Sequence, residues 1–328
     1  MLLCPPLVPM LARSRPALPA GGVPPGTVAE QKIDGYRLVC FARKEGTVLQ
    51  SRRGSDMAGA FPDLAAAASA LGRDLVLDGE LVVLHRGRLD FDLLQQRARR
   101  RGVSAHQAAE HHPAAMIVFD VLEHGVDLLP RPYRERRAML EELFSSGLLA
   151  APFSLCPATG GTAQALAWMD PAWGAVGIEG VVLKKEGQRY LPGERAWEKV
   201  RTRITDEAVI GSVTGSPHAP ASLLLGRYDM AGDLRLVART TPLARRMREA
   251  LAPHLESAGA GHPWHGVRFS AGWGSQEALV HQPVDPGLVA EFLADTAVAQ
   301  GRYRHPVSFL RLRGDMMPGD LPLLPREA

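Results

Sequence analysis

The feature that most constrains the fold is a change in the spacing of apolar residues near residue 204. Beyond that point the apolar residues form short runs separated by turn residues, with one helical segment between them. The predicted strands are Glu207–Val213, Leu223–Asp229, Leu234–Arg239, Val267–Ala271, Val289–Leu293 and Val307–Leu312, and the predicted helix is Leu243–Leu255. About five short strands with one helix are what a small Greek-key barrel of the OB type requires. We therefore expect residues 205–328 to form an OB-fold β-barrel.

Residues 1–204 have a different character, with longer apolar runs and several helical patterns. The predicted strands are Tyr36–Ala42, Thr47–Arg52, Leu75–Leu84, Ala114–Val121, Gly177–Lys185 and Ala196–Arg201, and the predicted helices are Phe61–Leu71, Leu93–Ala109 and Tyr133–Leu143. We expect an α+β domain of antiparallel sheets with flanking helices. Together the two parts predict a domain at 1–204 followed by a second at 205–328.

Composition limits the class of protein. The net charge is only +3, so any basic surface for a nucleic acid has to be local. The three cysteines are widely spaced, which gives neither a disulfide framework nor a zinc motif. No run approaches the roughly 18 apolar residues of a membrane span. A soluble, cytoplasmic protein that does not bind membranes is expected, and it is expected to be a monomer.

Lysine is scarce, and one lysine stands in a motif. The chain has five lysines among 38 basic residues, so nearly every position that needs only a cation carries arginine. Lys32 lies in Lys32-Ile33-Asp34-Gly35-Tyr36-Arg37, whereas Lys44 resembles an ordinary turn residue. A lysine amine can lose its proton and act as a nucleophile, and arginine cannot. Lys32 is therefore the candidate nucleophile.

Other charged residues border apolar strands in a recurring way. The segments are Ser51-Arg52-Arg53-Gly54, Leu77-Asp78-Gly79-Glu80-Leu81-Val82, Phe119-Asp120, Glu179-Gly180-Val181-Val182-Leu183-Lys184 and Trp197-Glu198-Lys199-Val200-Arg201. Glu80 is interpreted as a turn carboxylate, and Phe119 as the end of a buried strand. In their order and spacing these segments resemble the signature set of the covalent nucleotidyltransferases: ATP-dependent DNA ligases, RNA ligases and mRNA capping enzymes. The small bacterial DNA ligases of the ligase C type, or the ligase part of ligase D, are the most similar.

The resemblance implies a covalent mechanism centred on Lys32. This amine would attack the α-phosphorus of ATP and hold AMP as a phosphoramidate, which is nucleophilic catalysis. Glu80 would accept hydrogen bonds from the ribose hydroxyls. Phe119 would stack on adenine, although a phenylalanine in a strand is also an ordinary core residue. Glu30 would lie beside the adenine.

The resemblance also implies a set of phosphate-binding cations. Arg37 and Arg52 would bind phosphate or ribose and later the 5′-phosphate of a nick, a task suited to guanidinium groups. Lys184 would reach the nucleotide phosphates, and Lys199 and Arg201 would neutralise the α-phosphate as it reacts. Arg201 stands where the family usually has a second lysine, a change that an electrostatic role tolerates.

Metal and terminal-motif residues complete the expected site. Glu179 and Asp34 would help to hold Mg²⁺ or Mn²⁺. Arg311 and Arg313 would contact phosphates in the first step, from a terminal domain that swings over ATP in this family. Met316 stands where a basic residue often follows Asp315. Lys184 lies five residues after Glu179, so the two side chains lie on opposite faces of an ideal strand, and a bulge or strand end has to intervene if both reach one ligand.

The resemblance implies that nicked double-stranded DNA is the macromolecular substrate and DNA repair the setting, at the nucleoid of a bacterium. A minimal ligase without a separate DNA-binding domain is expected, with repair partners such as a polymerase that the sequence does not reveal. Two alternatives stay open. One is an RNA ligase or capping-type nucleotidyltransferase, since these share the core motifs. The other is a non-enzymatic DNA-end-binding protein, which the retained Lys32, Glu80, Glu179 and Lys199 disfavour.

Overall fold

The computed structural model describes residues 2–43, 46–270 and 277–325, and the chain divides into two compact units. The first extends to Thr202 and the second begins at Arg203, two residues before the boundary expected from the sequence. Lys44 and Ala271 lie outside the described residues. Among the described helices, none is both long enough and apolar enough to cross a bilayer.

The first unit contains two sheets. The five-stranded sheet has the order Leu11–Arg15, Arg195–Arg201, Ile178–Lys185, Thr27–Ile33 and Ala158–Thr159. The other sheet has the order Gly46–Ser51, Tyr36–Arg43, Leu75–His85, Ala114–His124 and Phe153–Leu155, with Arg88–Leu89 paired to Leu75–His85. Neighbouring strands are antiparallel except at the two pairs that involve Leu11–Arg15 and Phe153–Leu155.

Helices flank both sheets. Pro62–Ala70, Phe91–Ala98 and Tyr133–Ser145 pack into the large core of the second sheet, and Val103–His111 lies beside Pro62–Ala70. Thr162–Ala167 packs on the five-stranded sheet through Ala165. Short 3₁₀ turns lie at Ala58–Ala60 and Pro171–Val176. The strand Tyr36–Arg43 is buried on both faces: Leu38 and Cys40 pack into a large core, while Val39 and Phe41 pack into a second one with Trp197. Alternate side chains of a strand face opposite ways, so one strand serves both cores.

Three local expectations for this unit were wrong. The predicted helix Leu93–Ala109 is two helices, because Gly102 between them has a φ of 57°. Glu80 lies within a continuous strand rather than at a turn. Position 79 requires glycine, because a Cβ there would lie 2.5 Å from the carbonyl oxygen of Ile117 on the neighbouring strand. Phe119 lies in the middle of Ala114–His124, not at its end.

The second unit is a sheet that closes on itself. Its main strands are Arg203–Ser216, Ala219–Tyr228, Leu234–Arg239, Val289–Asp295 and Ser308–Leu312, with short strands at Phe269–Ser270, Ala278–Leu279, Gln282–Pro283, Val298–Ala299 and Arg302–Tyr303. Thr240 forms a parallel bridge with Val307, which joins the two ends of the strand order. This connectivity supports the expected OB-type barrel.

The helix of the second unit connects its third and fourth main strands. It spans Arg245–Leu251 and continues as a 3₁₀ turn at Ala252–His254, so it is shorter than predicted. A further 3₁₀ turn, Pro318–Asp320, follows the last strand. The apolar side chains of the strands and this helix form one core, which includes Ile210, Leu225 and Phe292. The mixed sheet-and-helix content of the two units confirms the predicted α+β class.

Candidate active site

The first unit has a cavity of about 710 Å³ between its two sheets. Side chains from both sheets and from the turn after Gly46–Ser51 line it. The residues singled out from the sequence that line this cavity are Glu30, Lys32, Arg37, Arg52, Glu80, Phe119, Lys184, Lys199 and Arg201. Positions far apart in the sequence are thus brought to one site by strand pairing.

Lys32 lies near the end of the strand Thr27–Ile33, and its amine contacts a carboxylate oxygen of Glu179. The Lys32 side chain is 16% exposed and that of Glu179 is 3% exposed. Arg201 approaches the same oxygen of Glu179, with its Nε at 4.0 Å. Glu179 therefore faces two cations at the cavity.

A β-bulge gives Glu179 this position. The pairing of Ile178–Lys185 with Thr27–Ile33 shifts register between Ile178 and Val181. Gly180 has a φ of 132°, and a Cβ there would collide with the carbonyl oxygen of Val200. Such a conformation strongly favours glycine. The bulge removes the parity conflict, so Glu179 and Lys184 can both be directed towards the cavity region.

Cations crowd one side of the cavity. Burial lowers the pKa of Lys199, and the nearby positive charges of Arg201, Lys32, Arg52 and Arg195 lower it further. Like charges this close destabilise one another unless an anion is bound between them. This arrangement of positive charges is suited to an anion such as a phosphate group.

Arg37 is held rigidly at the cavity wall. Its Nε donates to Asp78 Oδ1 at 2.5 Å and its Nη2 donates to Asp78 Oδ2 at 2.6 Å. Its guanidinium carbon lies 4.7 Å from the centre of the Phe119 ring. Burial alone would lower the pKa of Arg37, but the carboxylate of Asp78 outweighs it and raises this pKa, so the charge is permanent.

Glu80 lies opposite Arg37 across two paired strands. Burial raises the pKa of its carboxyl to about 8, against the opposing effect of Lys32 and Arg37. The negative charges of Asp34 and Glu179 also raise it. Glu80 therefore titrates near neutral pH, where a small change in its surroundings alters its charge.

Lys184 occupies a different environment from the one expected. Its side chain is 1% exposed, and its Nζ lies 2.6 Å from Glu30 and 3.2 Å from the carbonyl oxygen of Phe119. The Nζ also lies 4.3 Å from the ring centre of Trp197 and 4.4 Å from that of Phe119. Glu30 in turn accepts a hydrogen bond from the Tyr133 hydroxyl at 2.5 Å. In this structure the ammonium is enclosed by rings and a carboxylate at the base of the cavity.

Phe119 packs in the core and also lines the cavity. Its ring is partly buried in the core that contains Trp197, with the two ring centroids 6.0 Å apart and edge to face. The same ring lines the cavity. Its packing therefore fixes a flat apolar surface that a nucleobase could contact.

Arg311 and Arg313 lie in the second unit, on and just after its last main strand. Arg311 pairs with Glu291 at 2.7 Å. Arg313 contacts Asp315 at 2.8 Å and Glu207 at 2.7 Å. Both arginines are thus paired with carboxylates of their own unit.

Several residues at the site were not assigned a role from the sequence. Asp78 orients Arg37, Trp197 forms part of the cavity wall, Tyr133 binds Glu30, and Arg53 and Arg195 line the cavity. Arg53 is an exposed residue that lines the cavity. The sequence offered one usable signal, the position of Asp78 two residues before Glu80, which puts both carboxylates on the same face of their strand.

Within the described part of the chain, no group of three or more His, Cys, Asp or Glu side chains is placed to hold a metal ion. Asp34 and Glu179 are not themselves among the residues that line the cavity. Mg²⁺ is often held by one or two carboxylates together with substrate phosphates. Two carboxylates beside a phosphate site fit that pattern.

Comparison with known proteins identifies the class. Residues 9–201 match the family model described as ATP dependent DNA ligase domain. The chain belongs to the ATP-dependent DNA ligases, and it is an enzyme that uses ATP.

Individual relatives sharpen this assignment. DNA ligase C2 of Mycolicibacterium smegmatis is 34% identical over 95% of this chain and 91% of its own length. DNA ligase C of Mycobacterium tuberculosis is 34% identical over 96% and 92%. The non-homologous end joining DNA repair protein LigD of Mycobacterium tuberculosis is 33% identical, and the match spans 37% of that longer protein. The crystal structure of the LigD ligase domain from M. tuberculosis has a TM-score of 0.51 and 30% identity, covering 98% of both chains.

Proposed function

We propose that this enzyme seals nicks with a 5′-phosphate and a 3′-hydroxyl in duplex DNA, through a Lys32–AMP intermediate and a DNA-adenylate. The observation that carries the proposal is the meeting of the Lys32 amine, a cluster of further cations and an aromatic wall in a single cavity. An adenine nucleotide needs an apolar surface for the base and cations for the phosphates. The two sides of this cavity offer these two environments.

In the first step, the Lys32 nitrogen attacks the α-phosphorus of ATP. A nitrogen–phosphorus bond forms, the bond to the pyrophosphate oxygen breaks, and the amine gives up a proton. Lys199 and Arg201 neutralise the oxygens of the reacting phosphorus, where preformed charge is most effective. Glu179 contacts the amine before reaction and keeps it directed into the cavity.

Glu30, Phe119 and Glu80 hold the nucleoside. Tyr133 and Lys184 hold Glu30 in position, and Glu30 lies beside the adenine in this proposal. Phe119 contacts the face of adenine. Glu80 accepts hydrogen bonds from the ribose hydroxyls. Lys184 contributes through Glu30 rather than by reaching the phosphates.

Asp34 and Glu179 are the residues that would hold a divalent metal, together with the nucleotide phosphates. When bound, Mg²⁺ or Mn²⁺ supplies positive charge that competes with the Lys32 ammonium for Glu179. Burial, and after it the negative charges of Asp34 and Glu179, raise the pKa of Glu80, and a cation beside these carboxylates offsets their repulsion.

In the later steps the 5′-phosphate of the nick attacks the phosphorus of AMP and Lys32 leaves. The 3′-hydroxyl then attacks the 5′-phosphorus, a phosphodiester forms, and AMP departs. Arg37 and Arg52 bind the 5′-phosphate, and Arg311 and Arg313 act on the ATP phosphates in the first step.

The covalent step has a direct test. The protein is incubated with α-labelled ATP and Mg²⁺ and then separated on a denaturing gel. We expect label on the wild type and none on Lys32→Arg, whereas Lys44→Arg serves as a matched lysine control and should label normally. Absence of label on the wild type, or equal label on Lys32→Arg, contradicts the mechanism.

The RNA-ligase and capping readings share this chemistry, and the relatives' names favour DNA. Competition of ATP with GTP, and of nicked DNA with nicked RNA, separates the three. A protein that shifts nicked DNA on a gel but takes up no label would be an end-binding protein instead.

The biological setting is also part of the proposal. The similarity to LigD favours a role in DNA repair, with a polymerase or an end-binding protein as possible partner types. The ligase is proposed to act as a monomer at the nucleoid. Size-exclusion chromatography with light scattering tests the monomer.

A further inference from the structure

The segment Tyr190-Leu191-Pro192-Gly193 has no part in the roles described above, yet it places one hydroxyl group beside the site. Tyr190 is 2% exposed. Its hydroxyl oxygen accepts a hydrogen bond from the backbone N–H of Met10 at 2.9 Å. The same hydroxyl donates to Asp78 Oδ2 at 2.7 Å. A single hydroxyl thereby joins the first strand region, the loop before Arg195–Arg201 and the strand Leu75–His85.

Arg37 closes these contacts into a ring. Its Nη2 donates both to Asp78 Oδ2 at 2.6 Å and to the carbonyl oxygen of Met10 at 3.0 Å. The ring runs from Met10 to Tyr190, Asp78, Arg37 and back to Met10. Together with the bond from Nε, it fixes the plane of the guanidinium and leaves Nη1 outside the ring. The Arg37 side chain is 15% exposed, on the cavity wall.

The charges in the ring are stable. Burial raises the pKa of the Tyr190 hydroxyl well above its ordinary value, and the charge of Asp78 raises it further. The hydroxyl therefore stays protonated and keeps donating to Asp78. Asp78 is fully buried, so it depends on these donors for compensation of its charge.

From this geometry we infer that Tyr190 is a positioning residue, which holds Asp78 and through it sets the orientation of Arg37. The inference rests on the proposed function, in which Arg37 binds the 5′-phosphate of the nick. Without the hydroxyl, the Met10 N–H loses its acceptor and Asp78 loses one donor. The carboxylate and the guanidinium can then turn together, and a misplaced contact slows a reaction that depends on orientation.

The ring of Tyr190 has a separate packing role that a substitution can preserve. Its centroid lies 5.9 Å from that of Trp197, edge to face. The guanidinium carbon of Arg136 lies 5.6 Å from the ring centre. Tyr190→Phe keeps these contacts and removes only the hydroxyl.

The matched control is Tyr303→Phe in the second unit. The Tyr303 hydroxyl also donates to a carboxylate, Asp206 Oδ2, at 2.7 Å. This variant loses the same kind of bond without touching the cavity. A general effect of a lost tyrosine–carboxylate bond on stability appears in both variants, and an effect on chemistry appears only in Tyr190→Phe.

The test is a double-mutant cycle with Tyr190→Phe, Arg37→Lys and the double variant. Arg37→Lys keeps a charge beside Asp78, so folding is retained, but it removes the fork. Single-turnover transfer of AMP from adenylated enzyme to nicked DNA is measured, with thermal midpoints as the stability readout. Tyr190→Phe is expected to slow transfer about tenfold, the size of one lost hydrogen bond. When Arg37 is already replaced by lysine, adding Tyr190→Phe should slow the transfer no further.

A crystal structure of Tyr190→Phe completes the test, and it should show the guanidinium of Arg37 displaced from Asp78. Equal slowing in both backgrounds, no slowing at all, or an unmoved guanidinium overturns the inference. Failure of the proposed function looks different: the wild type then carries no AMP on Lys32. The structure of the variant still decides the positioning role in that case.

Discussion

Substitution of Lys184, which pairs with Glu30, tests whether this lysine binds phosphate or stabilises the fold from a buried position. Lys184→Met replaces the side chain by an apolar one of similar length and removes the ammonium. Glu30 then keeps the Tyr133 hydroxyl at 2.5 Å and the more distant Arg137 at 3.5 Å. It loses the ion pair at 2.6 Å.

The magnitude follows from burial. Both side chains are almost fully enclosed, with 1% and 2% exposed. Breaking a buried pair by removing one partner costs about 3–5 kcal/mol, and the two remaining partners of Glu30 place the loss near the lower limit, about 3 kcal/mol. For a unit of this size, each kcal/mol shifts the thermal midpoint by about 2–4 °C, so a fall of about 6–12 °C is expected.

The assay is thermal and urea unfolding, with labelling by ATP measured below the transition. Lys185→Met is the matched control, since this neighbouring lysine is exposed and should change stability by less than about 0.5 kcal/mol. The double variant Lys184→Met/Glu30→Gln removes the unpaired charge and should recover most of the lost stability.

One result would refute the reasoning. If Lys184→Met has the same thermal midpoint as Lys185→Met but takes up no label, then Lys184 contacts the nucleotide directly. Arginine is too large for a fully enclosed site, so Lys184→Arg should be destabilised.

Three further predictions concern other parts of the cavity. Lys32→Arg should abolish labelling, whereas Lys199→Arg should retain part of it because charge persists; equal loss in quantitative gels would mean that more than charge is needed at Lys199. The raised pKa of Glu80, about 8, means that the folded protein holds this proton more tightly than the unfolded chain does. The stability that this proton contributes is therefore fully present below the unfolded pKa, and it should be lost as the pH rises from about 4.5 through about 8. Glu80→Gln should flatten this pH dependence of the free energy of unfolding, measured by urea titration. An unchanged pH dependence would contradict the assignment. Gly180→Ala should cost about 2–4 kcal/mol and misplace the neighbouring carboxylate, as measured by unfolding and labelling. Gly160→Ala has open space around its Cβ and serves as the control; equal effects of the two would exclude the bulge as the cause.

The sequence predicted six strands of the first unit close to their observed bounds, because their periodicity and turn residues are local signals, but it did not assign Leu11–Arg15 or Thr27–Ile33 as strands. It was wrong about Glu80, because glycine beside charged residues usually marks a turn. Here Gly79 instead allows close approach of the Ile117 carbonyl on the next strand. That approach is a property of the pairing of two strands about 40 residues apart, and neither strand reveals it alone.

The candidate site was predicted in its charges and less well in its contacts. The motif lysines and arginines were identifiable because lysine is rare and the spacings match a family. The partners that orient them, Asp78, Tyr133 and Tyr190, lie on other strands or loops and carry no local pattern. Whether an ammonium faces phosphate or a buried carboxylate is decided by such partners, and Lys184 illustrates this.

The carboxylates around Arg313 make this arginine selective for charge. Asp315 and Glu207 contact it directly, and Glu291 lies within 3.5 Å. An anion that binds Arg313 has to replace these groups, so a single negative charge gains little by the exchange. A triphosphate or pyrophosphate carries enough charge to compete, and a monophosphate such as AMP is a weak competitor. The terminal motif would then bind a nucleotide that carries several phosphates and would separate from the nucleotide once only AMP remains.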